Sequence, residues 1–120
     1  MVSALGSERI AQRYRVPTTP VEWAIPRKSW VTGGQKLHRE QAAIIELSVV
    51  GAAIVAPDCT ALAIGSKVDV YWSGTKGSVI VRRIARYPGS TDLLLFGVEY
   101  GDNPSILGTA LFEHLVGGRR

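Results

Sequence analysis

A chain of 120 residues with 46% hydrophobic content has room for one packed domain and is too apolar for a disordered protein. Its 14 Lys and Arg against 10 Asp and Glu leave a formal charge of +4, a mild surplus that favours an anionic partner without naming one. The single cysteine, Cys59, excludes an internal disulfide framework and a cysteine-rich zinc site, and fits a reducing cytoplasm.

Residues 1–17 show no clear period and end at Pro17, so they are expected to form a flexible N-terminal arm. Three arginines, Arg9, Arg13 and Arg15, fall in this arm, and Glu8 and Arg9 interrupt any apolar signal core. Pro17 and Pro20 predict an extended approach to the first strand. Val21, Trp23 and Ile25 then alternate with Glu22 and Ala24, and Pro26 breaks that alternation, as at an edge or a bulge. Gly33-Gly34 predicts a hairpin turn, and a second strand is expected from about Lys36 to Ser48.

The most apolar stretch, residues 42–57, carries Glu46 and Ser48 near its middle. It is shorter than the roughly 20 apolar residues of a spanning helix and is expected in a core. Gly51 punctuates it, Ala52 to Val55 predict a third strand, and Pro57-Asp58 ends that strand. In KVDVYW, Val68, Val70 and Trp72 share one face. SGTKG (73–77) predicts a hairpin loop, and SVIVRRIARY its return strand, with a phase shift at Arg82-Arg83 that predicts a bulge. LLLFGVEY aligns Leu94, Phe96, Val98 and Tyr100. A closing helix is predicted with Asn103 as N-cap, Pro104 at its first position, an apolar face of Leu107, Leu111 and Leu115, and Gly117 as its stop. Six short strands and one helix predict an all-β, six-stranded antiparallel barrel with a C-terminal α-helix over an end or seam.

Two short motifs stand out. One is Arg9-x-x-x-Arg13, followed by Tyr14 and Val16; the other is Glu46-x-Ser48-x-x-Gly51 at the end of an apolar strand. Together they resemble the PilZ family, six-stranded barrels that bind the bacterial second messenger cyclic di-GMP through an N-terminal RxxxR arm and a [D/N]xSxxG motif. The IGSKVDVYW, GSVIVRRI and FGVEY segments occur in the family's style and order, so the resemblance covers about Glu8 to Leu115. Glu46 stands where the family has aspartate or asparagine, which keeps an acceptor carboxylate and adds a methylene.

The resemblance implies a cyclic di-GMP site at Arg9, Arg13, Glu46, Ser48 and Gly51. The chemistry suits these residue types. Arginine donates in pairs to phosphate or to the O6 and N7 edge of guanine, and stacks on its face. A carboxylate accepts from guanine N1–H and N2–H, a serine hydroxyl donates or accepts, and glycine admits close approach. An arm that orders on binding lowers the net affinity and changes its own position, which is the raw material of a switch.

The expected organisation is an arm over 1–17, a barrel with its helix over 18–116 and a basic tail over 117–120. The expected function is a cytoplasmic receptor that binds cyclic di-GMP, needs no cofactor, and relays the messenger to a protein partner. The alternative is a degenerate barrel that takes no nucleotide and serves as a protein-interaction module. A single-stranded nucleic-acid binder would interleave exposed aromatics with basic residues, and here the aromatics fall mostly at core-phase positions. No nucleophile elbow, phosphate-binding glycine loop or metal-ligand spacing points to an enzyme; His38 and His114 are isolated.

Overall fold

The computed structural model describes residues 12–28, 35–58, 61–102 and 104–117. Six strands precede one helix: β1 (Tyr14–Lys28), β2 (Gln35–Leu47), β3 (Gly51–Pro57), β4 (Lys67–Trp72), β5 (Thr75–Arg86), β6 (Leu93–Tyr100) and α1 (Ile106–Leu115). The strands close into a barrel in the order β1-β2-β3-β6-β5-β4, every neighbouring pair antiparallel. Closure leaves no free sheet edge around most of the barrel. The β1–β4 seam is short, pairing only Glu22 with Tyr71 and Trp23 with Val70.

The period-2 pattern fills the interior as its phase requires. Val21, Trp23 and Ile25 of β1, Val68 and Val70 of β4, Val79 and Val81 of β5, and Phe96 and Val98 of β6 are all buried in one cluster. Trp23 meets Phe96 edge to face with ring centroids 5.0 Å apart, the arrangement that aromatic quadrupoles favour. Leu107 and Leu111 of α1 join this cluster, so the helix closes the barrel with its apolar stripe.

Two expectations change. β1 begins at Tyr14, well before the alternation is legible, because its first residues pair with the end of β2: Tyr14 with Leu47 and Arg15 with Glu46. Pro26 holds the edge position expected of it: it pairs with Leu37 of β2 in a stretch with no β4 partner, where a missing N–H costs no ladder bond on that side. The N-cap of α1 is Ser105, whose Oγ accepts from the Gly108 N–H at 2.9 Å. Pro104 therefore precedes the cap, and a serine satisfies the first-turn N–H in the usual way. Asn103, the Gly33-Gly34 turn, Trp30, Cys59 and Arg9 lie outside the described residues.

The expected bulge in β5 is present. Val81 faces Val98 and Arg83 faces Gly97, so Arg82 is an extra residue. A second bulge sits in β2: Ile44 faces Ile54 and Glu46 faces Ala53, leaving Ile45 extra. Each bulge resets the in-out phase. Without the first, Arg83 would point at the core; without the second, Ile44 would point outward. Arg82 and Arg83 are instead both exposed, and Ile44 is fully buried.

Candidate functional site

The β2–β3 connection is a tight turn organised by Ser48. Its Oγ accepts from the N–H groups of Val50 and Gly51 at 3.2 and 3.1 Å, and its own N–H donates to the Gly51 carbonyl at 2.9 Å. Ser48 and Gly51 are buried, so the bonds to their own N–H groups satisfy donors held away from water. Val49 and Val50 are left at the tip, 62% and 46% exposed. Gly51 then lies against β6, where any Cβ would overlap the Val98 carbonyl oxygen. Its lack of a side chain is a demand of the strand packing, which sequence alone could not separate from ligand approach.

Beside this turn lies a groove of about 400 Å³. Arg13, Glu46, Ser48 and Gly51 line it, so four of the five expected site residues meet there. Arg13 and Glu46, far apart in sequence, form an ion pair at 3.7 Å, with the arginine side chain 70% and the glutamate 28% exposed. The start of β1 brings them together, because Arg15 is the register partner of Glu46. An exposed pair of this kind contributes about 0–1 kcal/mol, so either partner is cheaply released to a ligand.

The opposite wall lies outside both sequence motifs. Arg82 and Arg83 line the groove together with Glu99, and Arg82 Nε donates to Glu99 Oε1 at 2.8 Å. The floor is small: Ala53 and Gly97 face each other between the walls. Three arginines against two glutamates give the groove a net positive lining suited to an anion. The available sequence signal was the RR doublet at a phase break, but linking it to Glu46 required the strand order.

A second cavity, about 520 Å³, runs between the β2–β3 turn and α1 and shares Val50 and Glu99 with the groove. Tyr100 lines it; its hydroxyl is buried with no hydrogen-bond partner among the described residues, and burial pushes its pKa up to about 12. Tyr14 packs edge-on against Phe112 of α1 at 5.4 Å, which anchors the start of β1 to the helix. Among the described residues there is no cluster of His, Cys, Asp or Glu that could hold a metal, and no helix long and apolar enough to cross a membrane.

No protein-family model matches the sequence, and no curated protein matches it. Among solved structures, the chain is similar to the PilZ domain of YcgR from Escherichia coli, determined with c-di-GMP. The likeness covers 91% of this chain and 89% of that chain, with a TM-score of 0.56 and 11% sequence identity. With its closed six-stranded antiparallel barrel and C-terminal helix, this chain has the fold of a PilZ domain.

Proposed function

We propose that this protein is a receptor for cyclic di-GMP rather than an enzyme, and that the nucleotide binds in the groove between Arg13, Glu46 and the β2–β3 turn. The observation that carries this reading is the meeting of the two motifs: Arg13 of RxxxR lies 3.7 Å from Glu46 of ExSxxG, in one positively lined groove. The fold likeness to a barrel determined with c-di-GMP supports it.

In the proposed complex, Arg13 leaves Glu46 and, with Arg9, takes phosphate and guanine from the N-terminal side. The freed Glu46 carboxylate accepts from guanine N1–H and N2–H. Ser48 and Gly51 act indirectly, by setting the turn that forms the groove's end. A partner protein reads the arm and the exposed Val49–Val50 tip beside it. Cytoplasmic residence in a bacterium follows from the messenger.

The test is isothermal titration with cyclic di-GMP. Wild type binds, and Arg13→Ala weakens binding at least tenfold, about 1.4 kcal/mol. Thermal stability stays nearly unchanged, since exposed positions usually shift it by less than about 0.5 kcal/mol. Absence of heat and of any thermal shift at high ligand concentration overturns the proposal.

One observation favours the second reading, a barrel that binds no nucleotide and acts as a protein-interaction module. Ser48 and Gly51 already have complete roles in the turn and the strand packing. In that case the same titration is silent and the Val49–Val50 tip is the surface to probe.

A further inference from the structure

The register of the sheet lines up one outward-facing row across four strands: Glu46 on β2, Ala53 on β3, Gly97 on β6 and Arg83 on β5. Directly opposed residues of neighbouring strands share a face, so these side chains belong to one surface. The two charged members stand at the ends of the row, three strand spacings or about 14 Å apart along the sheet. Between them the floor rises only to the Ala53 methyl and the bare Gly97 backbone. A Cβ at Gly97 would come within 3.3 Å of the Arg83 Cβ, so the glycine also keeps the foot of Arg83 clear.

Both ends of the row are aimed by the same device. A bulge at Ile45 precedes Glu46, and a bulge at Arg82 precedes Arg83. The bulge in β5 supplies two adjacent outward arginines whose circumstances differ. Arg82 is bound to Glu99 at 2.8 Å, whereas among the described residues the Arg83 guanidinium has no carboxylate partner. A guanidinium with no carboxylate partner among the described residues, facing a carboxylate across a shallow, small-residue floor, matches a planar group with acceptors on one edge and donors on the other.

We infer that Arg83 is a base-reading residue of this site: its guanidinium donates to the O6 and N7 edge of one guanine, which lies flat on Ala53 and Gly97 with its N1–H and N2–H edge towards Glu46. This inference rests on the cyclic di-GMP reading and adds a contact that neither sequence motif contains. Arginine's two-pronged match to guanine O6 and N7 supplies the selectivity. The charge of Arg82, already spent on Glu99, supplies field and no base contact.

The test is a titration cycle on wild type, Arg83→Ala and Arg86→Ala, with cyclic di-GMP and with its analogue carrying 7-deazaguanine, which lacks N7. Arg86 is on the same strand, carries the same charge and does not line the groove. Both substituted positions are exposed, and thermal melts check that each variant is folded. Arg83→Ala is expected to weaken cyclic di-GMP at least tenfold and Arg86→Ala less than threefold. The penalty for losing N7 is expected in wild type and in Arg86→Ala, and to shrink at least fivefold in Arg83→Ala. If wild type binds and Arg83→Ala matches Arg86→Ala, or the N7 penalty is the same in wild type and Arg83→Ala, this inference is overturned while the receptor reading stands. A wild type that takes up no cyclic di-GMP overturns both.

Discussion

Replacing Gly51 by alanine is expected to cost the ligand-free protein about 3 kcal/mol, the sum of overpacking and one weakened hydrogen bond. Gly51 opens β3 directly opposite Glu99 of β6. An added Cβ overlaps the Val98 carbonyl oxygen and comes within 3.0 Å of the Glu99 Cα. Both obstacles are backbone, so no change of rotamer relieves them and β3 must move away from β6. Overpacking of this kind costs about 1–3 kcal/mol. The same backbone carries the Ser48 N–H to Gly51 carbonyl bond and lies beside the Tyr100 N–H to Val50 carbonyl bond, both 2.9 Å. Weakening one of them adds about 1 kcal/mol. An unfolding entropy of about 0.25 kcal/mol/K for a chain of this size turns 3 kcal/mol into a Tm lower by about 12 °C. Total stability for such a chain is about 6–18 kcal/mol, so the variant is still folded at room temperature. The assay is a thermal melt by circular dichroism without ligand. A variant melting within about 3 °C of wild type would refute the close β3–β6 approach and return Gly51 to a role in ligand access.

Ser48→Ala strands the buried Gly51 N–H and removes the Val50 N–H's partner, and is expected to lower stability by about 1–3 kcal/mol in urea denaturation; a loss below about 0.5 kcal/mol would mean that the turn holds without its hydroxyl. Glu46→Asp is expected to change cyclic di-GMP affinity only modestly and Glu46→Ala to cost about 1–3 kcal/mol of binding in the same titration, because guanine donors are left unpaired; tight wild-type binding indifferent to both would remove Glu46 from the site. Tyr100→Phe frees no partner and is expected to be neutral or stabilising by about 1 kcal/mol near neutral pH. The Tyr100 hydroxyl has its pKa raised from 10.0 to about 12, so the unfolded chain ionises first. The stability tied to that proton is intact below pH 10 and is lost as pH rises through about 12. The advantage of phenylalanine over tyrosine should therefore widen above pH 10 in urea melts, and a constant gap would show that the hydroxyl is hydrated in the folded state.

Much of the fold is local and so legible in the order of residues. Alternation in KVDVYW and LLLFGVEY marks their inward faces, and turn residues mark their ends, because side-chain direction in a strand depends only on position along it. The phase break at Arg82-Arg83 betrays its bulge for the same reason. The start of β1 and the cap of α1 were less legible. Tyr14 to Pro20 lacks a clean period because its register against β2 is irregular, between Arg15 and Thr19, and only pairing with a distant segment makes it a strand. Ser105 and Asn103 both have cap chemistry, and the choice between them is made by where Leu107 and Leu111 must meet the barrel.

The site divides along the same line. Residue types and spacing within each motif are properties of the chain, and they point to Arg9, Arg13, Glu46, Ser48 and Gly51. That Arg13 lies beside Glu46, that Ser48 spends its hydroxyl inside the turn, and that Gly51 is empty to admit β6 are consequences of which strands are neighbours. Arg83 stands across the floor from Glu46 only because β3 and β6 lie between β2 and β5 in the closed barrel. Spacing along a chain fixes what one strand presents on each face; which other strand presents the facing half is decided by non-local hydrogen bonding and core packing, which no local pattern encodes.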